Sequence, residues 1–263
     1  MNRLKGKVAI VTGAARGMGE AYARLMALEG ARVMMTDLRA EVLEAAAANI
    51  RSLGGDVTPL VCDASDIDHW RELTAKTVET YGGLNVLVNN AGFATATSCE
   101  NFDQALWDKC LGVILYGTVY GIHCAVPEMR KAGGGSIINV ASMTSFSAFP
   151  NTETPIREYG VDSPYCAAKG AVVSLTRAAA WQYAPDNIRV NAIAPGIIDT
   201  PIIADLMENP ENPIVKFWRS RLYLPSGFGQ ADEVAWMGVF LASDEASHVT
   251  GVTIPVDGGY LTV

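Results

Sequence analysis

The segment "DSPYCAAKGA" (162–171) sets a phenol, Tyr165, four residues before an ammonium, Lys169. Residues at that spacing share one helix face. The two could therefore act as an acid/base pair, although a half-buried tyrosine beside a solvated lysine fits the same pattern. Upstream, "TGAARGMG" (12–19) places Gly13, Gly17 and Gly19 between a β-rich run and a helical one. Glycines there let the backbone turn tightly and approach a pyrophosphate, which the free N–H groups of the following helix can bind. An ordinary strand–helix turn would use the same residues.

Asp37 closes the next apolar run, about twenty residues further on. A carboxylate there can accept hydrogen bonds from adenosine ribose hydroxyls. It would also repel a 2′-phosphate by about 1–4 kcal/mol at ~4 Å, so NAD is expected over NADP. Arg16 and Arg39 stand where a guanidinium could reach such a phosphate, which keeps NADP open, and helix capping is the plainer role for Asp37. Cys62 and Asp63 follow the third run, where an adenine edge could be held, and Asp63 could equally cap a helix. In "NNAG" (89–92), Asn89 suits bracing of neighbouring strands, while Asn90, Ala91 and Gly92 leave room for a ribose.

The elements that must position these groups are legible as short β-rich runs at 7–12, 31–37, 56–63, 84–90, 135–142, 188–195 and 252–257. Most are nearly continuous hydrophobics, as parallel strands buried on both faces require. Helical segments with glycine stops lie between them. This alternation predicts an α/β fold, a doubly wound parallel sheet of about seven strands with helices on both faces, as one domain over 1–263. Two excursions, 147–163 and 200–229, carry Pro and Gly punctuation and have the length of functional lids or mobile loops.

Of the 263 residues, 49% are hydrophobic and 18% charged, so a sizeable core is available and disorder is excluded. A net charge of −8 without a basic cluster argues against nucleic acid. The five cysteines are scattered and form no C-x-x-C pair, which suggests reduced thiols in a cytoplasm and no metal site. The apolar run near the N-terminus is too short for a signal-peptide core, and no stretch is expected to span a membrane.

Taken in order, "TGAARGMG" (12–19), Asp63, "NNAG" (89–92), Ser142, "YCAAK" (165–169), "IRVNAIAPG" (188–196) with Thr200, and "VDGG" (256–259) resemble the short-chain dehydrogenase/reductase family over nearly the whole chain. The resemblance implies a Rossmann-type fold and an NAD(P)-dependent alcohol dehydrogenase or ketoreductase. It implies Tyr165 as general acid/base, Ser142 as hydrogen-bond donor to the substrate oxygen, and Lys169 as the charge that stabilises the phenolate and holds the nicotinamide ribose. A free phenol titrates near ~10, so a nearby ammonium would help it work at neutral pH. Ser163 and Pro164 read as the N-cap and first residue of the Tyr165 helix. The implied cofactor positions are Gly13, Arg16, Gly17, Met18, Gly19, Asp37, Cys62, Asp63, Asn90, Ala91, Gly92, Tyr165, Lys169, Pro195, Gly196, Ile198 and Thr200.

Two departures stand out. The family's "V-N-L-x-G" run reads "VILYG" (113–117) here, which puts Ile114 where an asparagine helps to hold a water; Thr118, one turn on, is the candidate substitute. The interval from Ser142 to Tyr165 is also longer than the family usually has. Its surplus could cover the substrate cleft through Glu153 or Arg157, or form a surface loop.

An apolar substrate lining is expected from Phe93, Met143, Phe149, Ile202, Met207 and Trp218, with Phe217 and Tyr223 nearby. It suits a hydrophobic secondary alcohol or its ketone. Lys216, Arg219 and Arg221 would admit an anion instead. Excess apolar surface on helices 104–131 and 164–184 suggests partner surface, and the resemblance implies a homotetramer or homodimer. An epimerase or dehydratase that uses the nicotinamide transiently, and a cofactor-binding regulator without turnover, are the competing readings.

Overall fold

The computed structural model describes residues 2–95, 97–147, 162–201, 203–204 and 208–262. Among the described residues nine strands are present: β1 (Val8–Thr12), β2 (Arg32–Asp37), β3 (Asp56–Val61), β4 (Val86–Asn89), β5 (Gly135–Val140), β6 (Ile188–Pro195), β7 (Ile198–Asp199), β8 (Gly229–Gln230) and β9 (Thr253–Val256). Seven of them form one parallel sheet in the order β3-β2-β1-β4-β5-β6-β9. These match the seven apolar runs to within two residues at each end. The parallel pair β7–β8 is too short to carry a sequence pattern.

The helices are α1 (Gly17–Leu28), α2 (Ala40–Ser52), α3 (Ile67–Tyr81), α4 (Gln104–Leu111), α5 (Gly117–Lys131), α6 (Ser163–Tyr183), α7 (Pro213–Ser220) and α8 (Ala231–Ala242). Strand β1 shows why its residues read as a continuous apolar run. Ala9 and Val11 enter a core with Tyr22 of α1, Leu43 of α2 and Val239 of α8. Val8 and Ile10 enter a second core on the other face with Trp70 of α3, Val126 of α5 and Ala180 of α6. Alternate side chains of one strand thus serve two layers of helix.

Local signals set the helix starts. Asp66 caps α3 by accepting from the N–H groups of Asp68 at 2.8 Å and His69 at 3.3 Å. Gly82 ends the same helix in the left-handed region at φ 85°. At α8, the Glu233 carboxylate accepts from the N–H of Gln230 at 2.7 Å, half of a capping box.

Helices α4 and α5 are joined without a break by a π-helical turn, Gly112–Tyr116. The resulting run, Gln104–Lys131, is long and apolar enough by length and composition to cross a membrane, which the sequence reading had not anticipated. In the fold, Ile122, Ala125, Val126 and Met129 of this run are buried in the core under the sheet, so its apolarity is used in packing.

A buried amide chain ties sheet to helix. Asn89 Nδ2 donates to Asn139 Oδ1 at 2.9 Å, and Asn139 Nδ2 donates to Thr176 Oγ1 at 2.9 Å. This is the strand bracing expected of Asn89. Asn139→Ala would strip both bonds from a position with no exposure and is expected to lower unfolding free energy by about 2 kcal/mol in urea titrations.

Candidate active site

In a parallel sheet whose strand order reverses, ligands bind beyond the carboxyl ends of the strands at the reversal. Here the order reverses between β1 and β4. At that point the structure opens a cleft of about 700 Å³ running from Asp37 to Trp218. Every described residue that the sequence assigned to cofactor or catalysis lines it. Of the expected substrate residues, Phe93, Met143 and Trp218 do so, while Phe149, Ile202 and Met207 lie outside the described residues, as do Glu153 and Arg157.

The glycine loop is held from below by one hydroxyl. Thr12 Oγ1 donates to the carbonyl of Val88 at 3.3 Å and accepts from the N–H groups of Asn90 and Ala91, both at 3.0 Å. Asn90 Nδ2 returns a bond to the Thr12 carbonyl at 2.8 Å. Gly13 has φ 64°, and a Cβ on Gly19 would overlap the Gly13 carbonyl. The glycines thus open a backbone cradle at the start of α1, which fits a pyrophosphate. Across the cleft, Thr200 and Pro201 sit over Gly17, within 3.5–3.6 Å of where its Cβ would be. A Cβ on Gly196 would come within 2.6 Å of Asp257 Cα, so the "VDGG" turn packs directly under the Pro195–Gly196 exit.

At the β2 end of the cleft Asp37 is buried at the strand tip, with Arg39 beside it at 3.0 Å. Burial disfavours its charge, but the hydrogen bonds and charge of Arg39 prevail and hold the carboxyl below its usual range. Asp37 does not cap α2, whose N-cap position is Arg39. Asp63 is not a helix cap either. Its Oδ1 accepts from the N–H and Oγ of Ser65 at 2.9 and 2.7 Å, and the cap of α3 is Asp66.

At the other end Ser142, Tyr165 and Lys169 converge. Lys169 is 3% exposed. Its Nζ donates to the carbonyl of Val140 and lies 5.6 Å from the centre of the Tyr165 ring. Burial pulls the Lys169 ammonium down to about 8. Burial also pushes the Tyr165 phenol up to about 12, and its hydrogen bond with Ser142 only partly offsets this. Burial is thus the larger influence on the phenol.

The helix start also differs by one residue from the expected one. Asp162, not Ser163, is the N-cap, accepting from the Tyr165 N–H at 3.3 Å, and Pro164 falls in the first turn. Asp162 also accepts from Thr95 N–H at 2.5 Å and Thr95 Oγ1 at 2.6 Å, which ties the segment after β4 to the Tyr165 helix.

Ile114 is buried beside Lys169: a Cβ on Gly92 would lie 3.3 Å from Ile114 Cγ1 and 3.7 Å from Lys169 Nζ. Thr118 turns its hydroxyl back onto its own helix, donating to the Ile114 carbonyl at 2.7 Å. Tyr223 is exposed and packs against Gly259 rather than lining the cleft. Lys216 pairs with Glu211, while Arg219 and Arg221 lie over the rings of Phe228 and Phe217. The sequence reading missed Leu38, Lys109, Thr144 and Cys166 on the cleft wall. Leu38, Thr144 and Cys166 directly follow the expected residues Asp37, Met143 and Tyr165 in the sequence, whereas Lys109 had no such signal. Lys109 reaches the wall from α4, with Nζ 5.5 Å from the Phe93 ring centre.

Residues 13–261 match a family model described as enoyl-(acyl carrier protein) reductase. The chain is 38% identical over 260 residues to 2,5-dichloro-2,5-cyclohexadiene-1,4-diol dehydrogenase of Sphingobium indicum, covering 98% of each. It is 40% identical over 265 residues to NADP-dependent (R)-specific alcohol dehydrogenase of Lentilactobacillus kefiri, again covering 98% of each. A crystal structure of a short-chain type dehydrogenase/reductase from Mycobacterium marinum superposes with a TM-score of 0.89 at 30% identity, covering 99% of this chain and 97% of that one.

The cradle makes a direct prediction. Gly19→Ala forces the loop off the Gly13 carbonyl and is expected to weaken NADH binding more than tenfold, measured by cofactor fluorescence, while circular dichroism still reports a folded chain.

Proposed function

Because the chain belongs to the short-chain dehydrogenase/reductase family and is thus an oxidoreductase acting on CH–OH groups with NAD(P), we propose that it interconverts a hydrophobic secondary alcohol and its ketone, with NAD preferred. The observation that carries this reading is the meeting of Ser142, Tyr165 and Lys169 in the same cleft as the glycine loop. In this reading Gly13, Arg16, Gly17, Met18 and Gly19 hold the pyrophosphate and Asp37 holds the adenosine ribose. Cys62 and Asp63 flank the adenine, and Asn90, Ala91 and Gly92 flank the nicotinamide-side ribose, to which Lys169 donates. Pro195, Gly196, Ile198 and Thr200 close over the nicotinamide. When bound, the nicotinamide supplies or accepts the hydride.

The chain's own residues handle the proton. In ketone reduction, Tyr165 donates its phenolic proton to the carbonyl oxygen while the Ser142 hydroxyl hydrogen-bonds that oxygen as charge develops on it. In alcohol oxidation, Tyr165 must first be the phenolate, take the hydroxyl proton and pass it on. Lys169, held by the Val140 carbonyl, fixes a positive charge beside that phenolate whenever it is protonated. Tyr165 packs with Phe93 and Ile114 in a small apolar cluster at the cleft wall.

Phe93, Met143 and Trp218 give the substrate end an apolar wall. Together with the cyclic diol named for the Sphingobium relative, they favour an alicyclic or aromatic secondary alcohol. The preference for NAD rests on the buried Asp37 carboxylate, which a 2′-phosphate would meet as a like charge. One domain over residues 1–263, working in a cytoplasm as a homotetramer or homodimer, completes the proposal. The unpaired state of all five cysteines supports the compartment. The assembly is supported by Trp181, 86% exposed on α6, and by exposed Tyr116 and Val119 on the α4–α5 run.

Oxidation of a panel of cyclic and aromatic secondary alcohols, followed as NADH formation, tests the reading. Tyr165→Phe is expected to lower kcat/KM by about 10²–10⁴, and an unaffected rate would sink it. The pH profile has a definite sign. With the phenol raised to about 12, the phenolate needed for oxidation grows with pH, so oxidation should quicken through the alkaline range. Reduction uses the neutral phenol and should show no such rise.

A further inference from the structure

Thr144 meets the Ser142 hydroxyl twice. Its N–H donates to Ser142 Oγ at 3.2 Å, and its own hydroxyl donates to the same oxygen at 2.9 Å. These two bonds fill both acceptor positions of Ser142 Oγ and leave it only its proton to offer. The short turn Met143–Ser145 makes the double contact possible. Ser142 is the extended N-cap of that turn, and the Ser145 N–H closes it on the Ser142 carbonyl at 3.0 Å. On its far side the Thr144 side chain is hydrogen-bonded to the thiol of Cys166, one residue beyond Tyr165. Burial pushes that thiol up, so it keeps its proton and can give it to Thr144 Oγ1. The Thr144 proton is then left for Ser142.

We propose that Thr144 is a positioning residue, which holds the Ser142 hydroxyl as a donor towards the reacting oxygen. The inference rests on the alcohol–ketone reading above and deepens it. With its acceptor positions filled from the turn, Ser142 directs its proton to the Tyr165 phenol oxygen, to which it is hydrogen-bonded. A substrate oxygen arriving beside the phenol meets a hydroxyl already turned to donate, so nothing has to be re-aimed as charge develops. The same orientation serves oxidation, because a proton directed at the phenol oxygen stabilises the phenolate. Without the Thr144 hydroxyl one acceptor position of Ser142 opens to the cleft. The serine can then turn its proton to water, and its single orientation is lost. Thr144 acts in this scheme only through Ser142.

The test is the rate and pH profile of secondary-alcohol oxidation in wild type, Thr144→Val, Thr144→Ser, Ser142→Ala and the Ser142→Ala/Thr144→Val pair, with Tyr165→Phe as the control. Thr144→Val keeps the branched shape and the N–H. It is expected to lower kcat/KM about three- to tenfold, the range for one neutral hydrogen bond, with NADH affinity and Tm unchanged. Its alkaline rise should move to higher pH, because the Ser142 bond that lowers the phenol is weakened. Thr144→Ser restores the hydroxyl and should recover the wild-type profile. In the Ser142→Ala background Thr144→Val should cost nothing further, as two residues acting in series require. A wild-type rate and profile in Thr144→Val would overturn the proposal. So would a full further loss in the Ser142→Ala background, or a Thr144→Ser variant as slow as Thr144→Val, since either traces the effect to packing of the turn. If Tyr165→Phe is as fast as wild type, the functional reading itself fails. If Tyr165→Phe is slow and Thr144→Val is not, only the positioning role fails.

Discussion

A buried ammonium is costly unless something accepts its protons, and in this protein the Val140 carbonyl does so for Lys169. That bond joins the last residue of β5 to the second turn of α6. Ser142 follows Val140 by two residues, and Tyr165 precedes Lys169 by one turn, so the bond helps to set the distance between the two hydroxyls proposed to share a substrate oxygen. The geometry of the reacting end depends on an interaction that must form for the lysine to be buried at all. The Asp162 cap and its bonds to Thr95 fix the remaining freedom of that helix, its rotation relative to the segment after β4.

The two ends of the cleft solve the same electrostatic problem differently. Asp37 is a buried charge satisfied by a half-exposed side chain two residues further on. Lys169 is a buried charge satisfied by fixed backbone. This division matches the tasks proposed for the two ends, recognition at the adenosine end and repeated proton transfer at the other.

Much of this was legible in the sequence, for identifiable reasons. Strands buried on both faces leave continuous apolar runs, so β1 to β6 and β9 were readable to within two residues. The glycine loop, Asp37 and the Tyr165/Lys169 pair sit at strand ends and on one helix face, where spacing alone predicts proximity. What escaped depends on tertiary surroundings. Asp162 and Ser163 are both good capping residues, and the tertiary bonds of Asp162 to Thr95 have no mark in the local sequence. The π-turn at Gly112–Tyr116 has no compositional mark. The upward push on the Tyr165 phenol comes from burial that no local pattern encodes, and Lys109 reaches the cleft from a helix with no motif.

The Thr12 hydroxyl carries a consequence of its own. One oxygen has a single proton and two lone pairs, and here all three are committed, to Val88, Asn90 and Ala91. The relative height of two strand ends, and with it the floor of the cleft, is therefore set by an atom of the sheet rather than by the loop above it. The loop inherits the rigidity of the sheet. Its glycines can adopt unusual backbone angles without making the binding surface loose, and a serine could keep that alignment where an equally bulky valine could not.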